Sequence, residues 1–79
     1  MSLNTIREIL EQHGRLPVGV DTLTDDSDLY NAGLTSLATV GLMLALEDAF
    51  DIEFPDTMLS RKTFESIQSI SDAVEELKD

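Results

Sequence analysis

The residue types that carry out covalent catalysis are scarce in this chain. It contains no Cys and a single imidazole, His13. His13 falls in the last turn of a predicted helix, where the helix dipole favours a cation, so we assign it no function. Without thiols, zinc sites with thiolate ligands and disulfide frameworks are both excluded. We therefore predict no catalytic centre and no metal site, and the chain is not expected to be an enzyme.

The acidic cluster at residues 25–28 invites comparison with a calcium-binding EF-hand loop. Asp26 and Asp28 would occupy the first and third positions of such a loop. The sixth position is Asn31, where the turn needs Gly, and the twelfth is Leu37, where a bidentate Glu is required. The pattern is instead typical of a solvated acidic loop.

One hydroxyl is placed where it could do chemistry. Ser36 follows Gly33, which we expect to be a flexible joint, and it begins the longest apolar-periodic stretch of the chain. Ser is a preferred N-cap residue, and on geometry alone a cap is the favoured interpretation. The alternative is a covalent attachment point, because a phosphodiester at this position would lie beside the positive end of the helix dipole.

Length and charge limit what such a chain can be. Its 79 residues carry 16 acidic and 5 basic side chains, a net charge of -11, and 42% of the residues are hydrophobic. One domain over residues 1–79 with one small core is expected. The negative charge argues against binding nucleic acid and favours partners with basic surfaces. We find neither a signal peptide nor a membrane-spanning stretch, so we expect no membrane association and a cytoplasmic protein.

Apolar residues recur at helical spacing, and no strand-like alternation is sustained. The pattern predicts an all-α fold, a small bundle of three main helices and one short helix, with Ser2 and Ser66 as caps and Gly14 ending the first helix. The predicted elements are a helix over 3–13, a long loop over 14–35, and helices over 36–51, 56–60 and 66–78. Five apolar residues of the loop are expected to anchor it: Leu16, Val18, Val20, Leu23 and Leu29.

The helix over 36–51 is too apolar to be buried on every side in so small a bundle. We expect its excess apolar residues to form an exposed patch beside Ser36, made of Leu37, Val40, Gly41 and Leu44, and Gly41 to permit close approach of another backbone. The predicted core residues are Leu10, Leu42, Leu46, Phe50, Phe54, Phe64, Ile67, Ile70 and Val74.

Two segments together resemble the acyl carrier protein family. They are the string GLTSL at 33–37 and the run LEDAFDIEFPD at 46–56, and the resemblance extends over about residues 3–77. Members of that family present, within a Gly-X-Asp-Ser-Leu motif, the Ser that receives 4'-phosphopantetheine. The resemblance therefore implies that Ser36 bears this group, transferred from coenzyme A by a phosphopantetheinyl transferase.

The chain departs from the family pattern at two places. Thr35 stands where the family usually has Asp, and residues 37–46 contain no charge, with Ala38 and Gly41 where fatty-acid carriers commonly have acids. Thr can still cap a helix, so folding should tolerate the first change. The residues that we expect to contact partner enzymes are Thr35, Leu37, Val40, Gly41, Leu44, Glu47 and Asp48.

This neutral face looks closest to that of the stand-alone aminoacyl carrier proteins, which are loaded by amino acid:carrier protein ligases resembling truncated seryl-tRNA synthetases. The resemblance then implies a carrier, monomeric alone, that holds glycine or alanine as a thioester. Two alternatives stay open: an acyl carrier protein of fatty-acid or polyketide synthesis, and a non-carrier helical interaction module in which Ser36 is a helix cap.

Overall fold

The computed structural model describes residues 2–78, apart from the side chain of Ser2, and this part of the chain is helical with no strand. It confirms the predicted all-α fold. Two single 3-10 turns accompany the helices, at Val20–Thr22 and Asp56–Met58. The α-helices are α1 (Ser2–His13), α2 (Leu29–Ala32), α3 (Ser36–Phe50) and α4 (Ile67–Lys78). No helix among the described residues has both the length and the hydrophobicity of a membrane span.

The three main helices begin and end within one residue of their predicted bounds. α3 stops at Phe50 because Asp51 has a left-handed backbone (φ 54°) and donates its N–H to the Glu47 carbonyl. α4 begins after Ser66, whose Oγ accepts a hydrogen bond from the Ser69 N–H at 3.0 Å, so its predicted cap is confirmed.

The ends of α1 and the segment after α3 differ from the predictions in detail. After α1 the left-handed residue is Arg15 (φ 54°), whereas Gly14 donates its N–H to the Leu10 carbonyl at 2.7 Å. Ser2 belongs to α1, and the predicted capping by its side chain lies outside the described residues. The short helix predicted over 56–60 is the three-residue turn Asp56–Met58.

The segment predicted as one long loop over 14–35 contains the turn Val20–Thr22 and the helix α2, so that prediction is partly wrong. α2 forms because the Asp28 carboxylate accepts hydrogen bonds from the N–H groups of Tyr30 (3.0 Å) and Asn31 (3.2 Å). A helix of four residues is too short to show a periodic apolar pattern. Asp28 thus caps α2, and the described residues contain no acidic or imidazole cluster placed to hold a metal ion.

Polar contacts fasten this connecting segment to α1 and to the start of α4. Arg7 donates to the Val20 and Leu23 carbonyls (3.1 and 3.0 Å) and forms a 2.8 Å salt bridge with Asp25. Two backbone bonds reach the region of α4: Leu29 N–H to the Glu65 carbonyl (2.7 Å) and Gln68 N–H to the Asp25 carbonyl (2.9 Å). The segment that leads to Ser36 is therefore held in place on both sides.

α1 packs against both α3 and α4, and the core lies between these three helices. Every predicted core residue is buried except Phe50, which is partly buried and packs against the edge of the core. The Lys78 ammonium lies 5.8 Å from the centre of the Phe50 ring. The buried residues that the predicted core omitted include Ile6, Ile9, Val20, Leu29, Leu34, Ala38 and Ala73.

Candidate attachment site at Ser36

Ser36 is the first residue of α3, and its side chain is exposed. The N-cap is the preceding residue, because Thr35 has extended backbone angles and its Oγ1 accepts a hydrogen bond from the Ala38 N–H at 3.1 Å. The Ser36 hydroxyl makes no hydrogen bond to any of the described residues. The interpretation of Ser36 as a helix cap is therefore wrong, and its oxygen is free to react.

The backbone before Ser36 is constrained by a close contact at Gly33, which we had expected to be a flexible joint. Gly33 has a φ of 123°, and a Cβ atom at this position would lie 2.5 Å from Cδ of Pro17. Its N–H donates to the Tyr30 carbonyl at 3.1 Å, and the next residue, Leu34, is buried. Glycine is needed here because only it accepts both the left-handed backbone and the neighbouring ring.

The predicted apolar patch on α3 is exposed. Leu37 is 84% accessible, Val40 52% and Leu44 56%, whereas Leu42 and Leu46 are fully buried. With Gly41, the exposed residues follow the spacing i, i+3, i+4 and i+7, which places them on one face of the helix. We call Leu37, Val40, Gly41 and Leu44 the α3 patch.

Gly41 leaves a shallow gap in the α3 patch. A Cβ atom built on it would meet none of the described residues within 4 Å, and close approach by a partner's backbone stays a prediction. The space is open to a partner. Exposed apolar patches are common at interaction surfaces, and contact of the α3 patch with a partner stays a prediction.

The two acidic residues expected at the partner surface differ in their surroundings. Asp48 is exposed. Glu47 is partly buried, and its Oε2 accepts a hydrogen bond from the Phe54 N–H at 2.9 Å, so it fastens the segment after α3. Contact of either residue with a partner stays a prediction.

A groove of about 340 Å³ opens beside Ser36, between α3 and the segment that precedes α4. Among the described residues, no Asp or Glu lines its wall, although the chain has 16 of them. The lining residues are Tyr30, Ser36, Thr39, Val40, Met43, Leu59, Ser60, Arg61 and Phe64.

One pair of residues in this groove was not predicted from the sequence. The guanidinium carbon of Arg61 lies 4.1 Å from the centre of the Tyr30 ring. The two residues are far apart in the chain, and only their packing reveals the contact. The one signal in the sequence is that Arg61 and Lys62 form the only adjacent basic pair in this acidic chain.

A family model described as a phosphopantetheine attachment site matches residues 3–74 of the chain. The chain belongs to this family of carrier proteins. An exposed serine oxygen with no hydrogen bond, at the edge of an open groove without acidic side chains, fits the covalent 4'-phosphopantetheine that the family carries. Ser36 would hold the group through its oxygen, and the groove gives the group room to extend.

Similar proteins indicate which members of the family this chain resembles. An aminoacyl carrier protein from Agrobacterium fabrum (strain C58) is 59% identical over 75 residues, covering 95% of this chain and 90% of the relative. A chain in the crystal structure of an engineered Bradyrhizobium japonicum glycine:[carrier protein] ligase, complexed with carrier protein from Agrobacterium tumefaciens and AMP, is also 59% identical. Its TM-score is 0.90, and the match covers 92% of this chain and 97% of that one.

A more distant relative is a holo acyl carrier protein from Nitrosomonas europaea, known from a solution NMR structure. It is 36% identical, with a TM-score of 0.83 and coverage of 96% of this chain and 94% of that one. The present chain is thus a homologue of aminoacyl carrier proteins with the helical fold of the wider acyl carrier group.

Proposed function

We propose that this chain bears 4'-phosphopantetheine on Ser36 and carries a small amino acid, of the glycine or alanine type, as a thioester. One observation supports the attachment above all others: the Ser36 hydroxyl is exposed at the start of α3 while Thr35 satisfies the helix end. Modification of Ser36 then costs the helix no capping bond.

In this proposal the serine oxygen forms a bond to the phosphorus of the phosphopantetheine unit of coenzyme A. The bond from that phosphorus to the adenosine bisphosphate portion breaks, and the hydroxyl proton passes to the transferase or to water. The N-terminal end of α3 provides a favourable potential for the added phosphodiester. Once attached, the group supplies the thiol that this Cys-free chain lacks.

The protein itself would tether and present its cargo rather than catalyse a reaction. A tether of this kind raises the effective concentration of the cargo at each enzyme that the carrier meets. We place the carrier in the cytoplasm as a monomer, where a transferase and a ligase act on it in turn.

Loading would take place with an amino acid:carrier protein ligase bound to the α3 patch. The patch lies on the same helix as Ser36, with Leu37 directly beside the attachment point and Leu44 two turns away. Exposed apolar side chains supply contact area, and Thr35 and Asp48 flank the patch with polar groups. The net charge of -11 would steer the carrier towards a basic enzyme surface and make association faster at low salt.

The glycine or alanine type of cargo rests on similarity and on the neutral α3 face. The structure of the similar Agrobacterium tumefaciens carrier protein contains a glycine:[carrier protein] ligase. Residues 37–46 of the present chain are uncharged. This favours an amino acid:carrier protein ligase as the partner over enzymes that bind an acidic helix.

A loading experiment on the phosphopantetheinylated protein tests the cargo. The protein is incubated with ATP and either a glycine:carrier protein ligase or a fatty acyl:carrier protein ligase, and the products are identified by intact mass. We expect addition of one glycine or alanine, removable by hydroxylamine as a thioester is. Fatty acylation without aminoacylation would replace the proposed cargo by that of a fatty-acid carrier.

A further inference from the structure

Arg61 is a cation without an acidic partner in a strongly acidic protein. Arg7 forms a salt bridge with Asp25 at 2.8 Å, and Lys78 forms one with Glu75 at 3.8 Å. Arg61 makes no salt bridge with any carboxylate of the described residues. It lines the groove that begins at Ser36, and no acidic residue in the described part of the chain lines this groove to neutralise it.

The orientation of Arg61 suits an anion. Its guanidinium lies over the Tyr30 ring, with 4.1 Å between the guanidinium carbon and the ring centroid. The Arg61 guanidinium makes no hydrogen bond to the described residues, so its N–H groups stay available while it contacts the ring. Those N–H groups match two oxygens of a phosphate, which is a favourable geometry for a bidentate hydrogen bond.

The rest of the groove suits an uncharged chain. Val40, Met43 and Phe64 give it apolar walls, and Thr39 and Ser60 add hydroxyl groups to its lining. Its volume of about 340 Å³ lies in the range of about 300–1,000 Å³ that holds small organic ligands. A phosphate attached to Ser36 would therefore find hydrogen-bond donors on Arg61. The uncharged, amide-containing chain beyond it would contact apolar walls and hydroxyl groups.

We propose that Arg61, held over Tyr30, binds the phosphodiester of the prosthetic arm and so fixes where the arm enters this groove when no enzyme is docked. The inference depends on the proposed attachment at Ser36. The occupant is fixed by covalent connection, since a group attached to Ser36 starts at the edge of the groove. Tethering gives the arm an effective concentration of about millimolar, so a weak contact is enough to populate the resting position.

The test compares the apo and holo proteins by NMR, with complete conversion verified by intact mass. The chain has one Tyr and no Trp, so the aromatic signals of Tyr30 are unambiguous. The methyl group of Met43 reports on the groove, and that of Met58, which lines a neighbouring depression and not the groove itself, serves as an internal reference. We expect conversion to the holo form to shift the signals of Tyr30 and Met43 and to leave Met58 unchanged.

Two variants with the same change in net charge distinguish a specific contact with Arg61 from a long-range electrostatic effect. Arg61→Gln removes the groove cation, whereas Lys62→Gln removes the neighbouring exposed cation, which does not line the groove. In the holo form, Arg61→Gln should reduce the shifts at Met43 to less than about half and move the phosphorus-31 signal of the phosphodiester, because the bidentate contact is lost. Arg61→Lys should restore part of the effect, and Lys62→Gln should leave both signals as in the wild type.

Unchanged Tyr30 and Met43 signals in a fully converted protein would overturn the resting site while leaving the attachment at Ser36 intact. Equal effects of Arg61→Gln and Lys62→Gln would also overturn it. Failure of any protein to accept the arm at Ser36 would instead reject the proposed function. Circular dichroism of each variant verifies that the helical fold is retained, and Arg61→Lys provides the comparison if Arg61→Gln does not fold.

Discussion

Thr35 caps α3 through a 3.1 Å hydrogen bond from the Ala38 N–H to its Oγ1, and this leaves the neighbouring Ser36 without a structural task. Two adjacent hydroxyl residues thus have separate roles: Thr35 caps the helix, and Ser36 is available for attachment. From the sequence, both roles could have been assigned to Ser36. The helix end is satisfied whether or not Ser36 is modified. A carrier protein needs this independence, because its folded state has to persist in both apo and holo forms.

The division of roles predicts unequal effects of two similar substitutions on stability. Thr35→Ala should lower the free energy of unfolding by about 1 kcal/mol, the usual cost of removing an N-cap. Ser36→Ala should change it by less than about 0.5 kcal/mol, as is typical of an exposed side chain without contacts. Urea denaturation followed by circular dichroism measures both values. Equal losses in the two variants would mean that Ser36 shares in the capping.

Much of this arrangement could be predicted from the sequence because it depends on local patterns. Helical spacing correctly predicted the three main helices, and it placed Leu42 and Leu46 inside and Leu44 outside. The choice of cap between Thr35 and Ser36 could not be predicted, since both residue types accept the bond and only the backbone angles decide. The position of Arg61 over Tyr30 depends on the packing of distant segments, which a local pattern does not contain.

Arg7 is expected to be the most important charged residue for stability. Its guanidinium is the shared donor to two carbonyls and to Asp25, and it is partly buried, with 26% of the side chain accessible. Arg7→Gln should lower the free energy of unfolding by about 1.5–3 kcal/mol, the range for hydrogen bonds that involve charged groups. The control, Lys62→Gln, removes the same charge from an exposed site. Similar unfolding midpoints for the two variants in urea would contradict the role of Arg7 in fastening the connecting segment.

Two glycines should respond in opposite directions to the same substitution. Gly33→Ala should destabilise the fold by about 1–3 kcal/mol, since a side chain there combines a left-handed φ with a clash against Pro17. Gly41→Ala should stabilise it by up to about 1 kcal/mol, because the position is helical and the added Cβ meets no atom within 4 Å. Thermal denaturation of the pair gives the sign of each effect. A stabilised Gly33→Ala protein would show that the close approach to Pro17 is not a constraint.

Charged substitutions in the α3 patch should weaken recognition by the ligase without unfolding the protein. Leu44→Glu places a charge on an exposed apolar position and should lower kcat/KM for loading by about tenfold or more, which corresponds to about 1.4 kcal/mol. Its free energy of unfolding should change by less than about 0.5 kcal/mol. Val40→Glu should act in the same way. Steady-state loading with the carrier as the varied substrate gives the kinetic value.

The matched control for these variants is Val18→Glu, which makes the same kind of change at an exposed apolar residue outside α3. Val18 was expected to anchor the connecting segment, but it is 44% accessible, so that expectation is wrong. It should load at the wild-type rate. If all three variants load as the wild type does, the docking surface lies elsewhere on the carrier. If Val18→Glu is as slow as the others, the effect comes from added charge and not from the patch.

Intact mass after incubation with coenzyme A and a phosphopantetheinyl transferase shows whether Ser36 is the attachment residue. The wild type and Ser60→Ala, which alters a second exposed serine of the same groove, should each gain the mass of one phosphopantetheine. Ser36→Ala should gain none. Modification of Ser36→Ala to the same extent, or a wild-type chain that stays unmodified by transferases that act on related carriers, would contradict the assignment of Ser36 as the attachment residue.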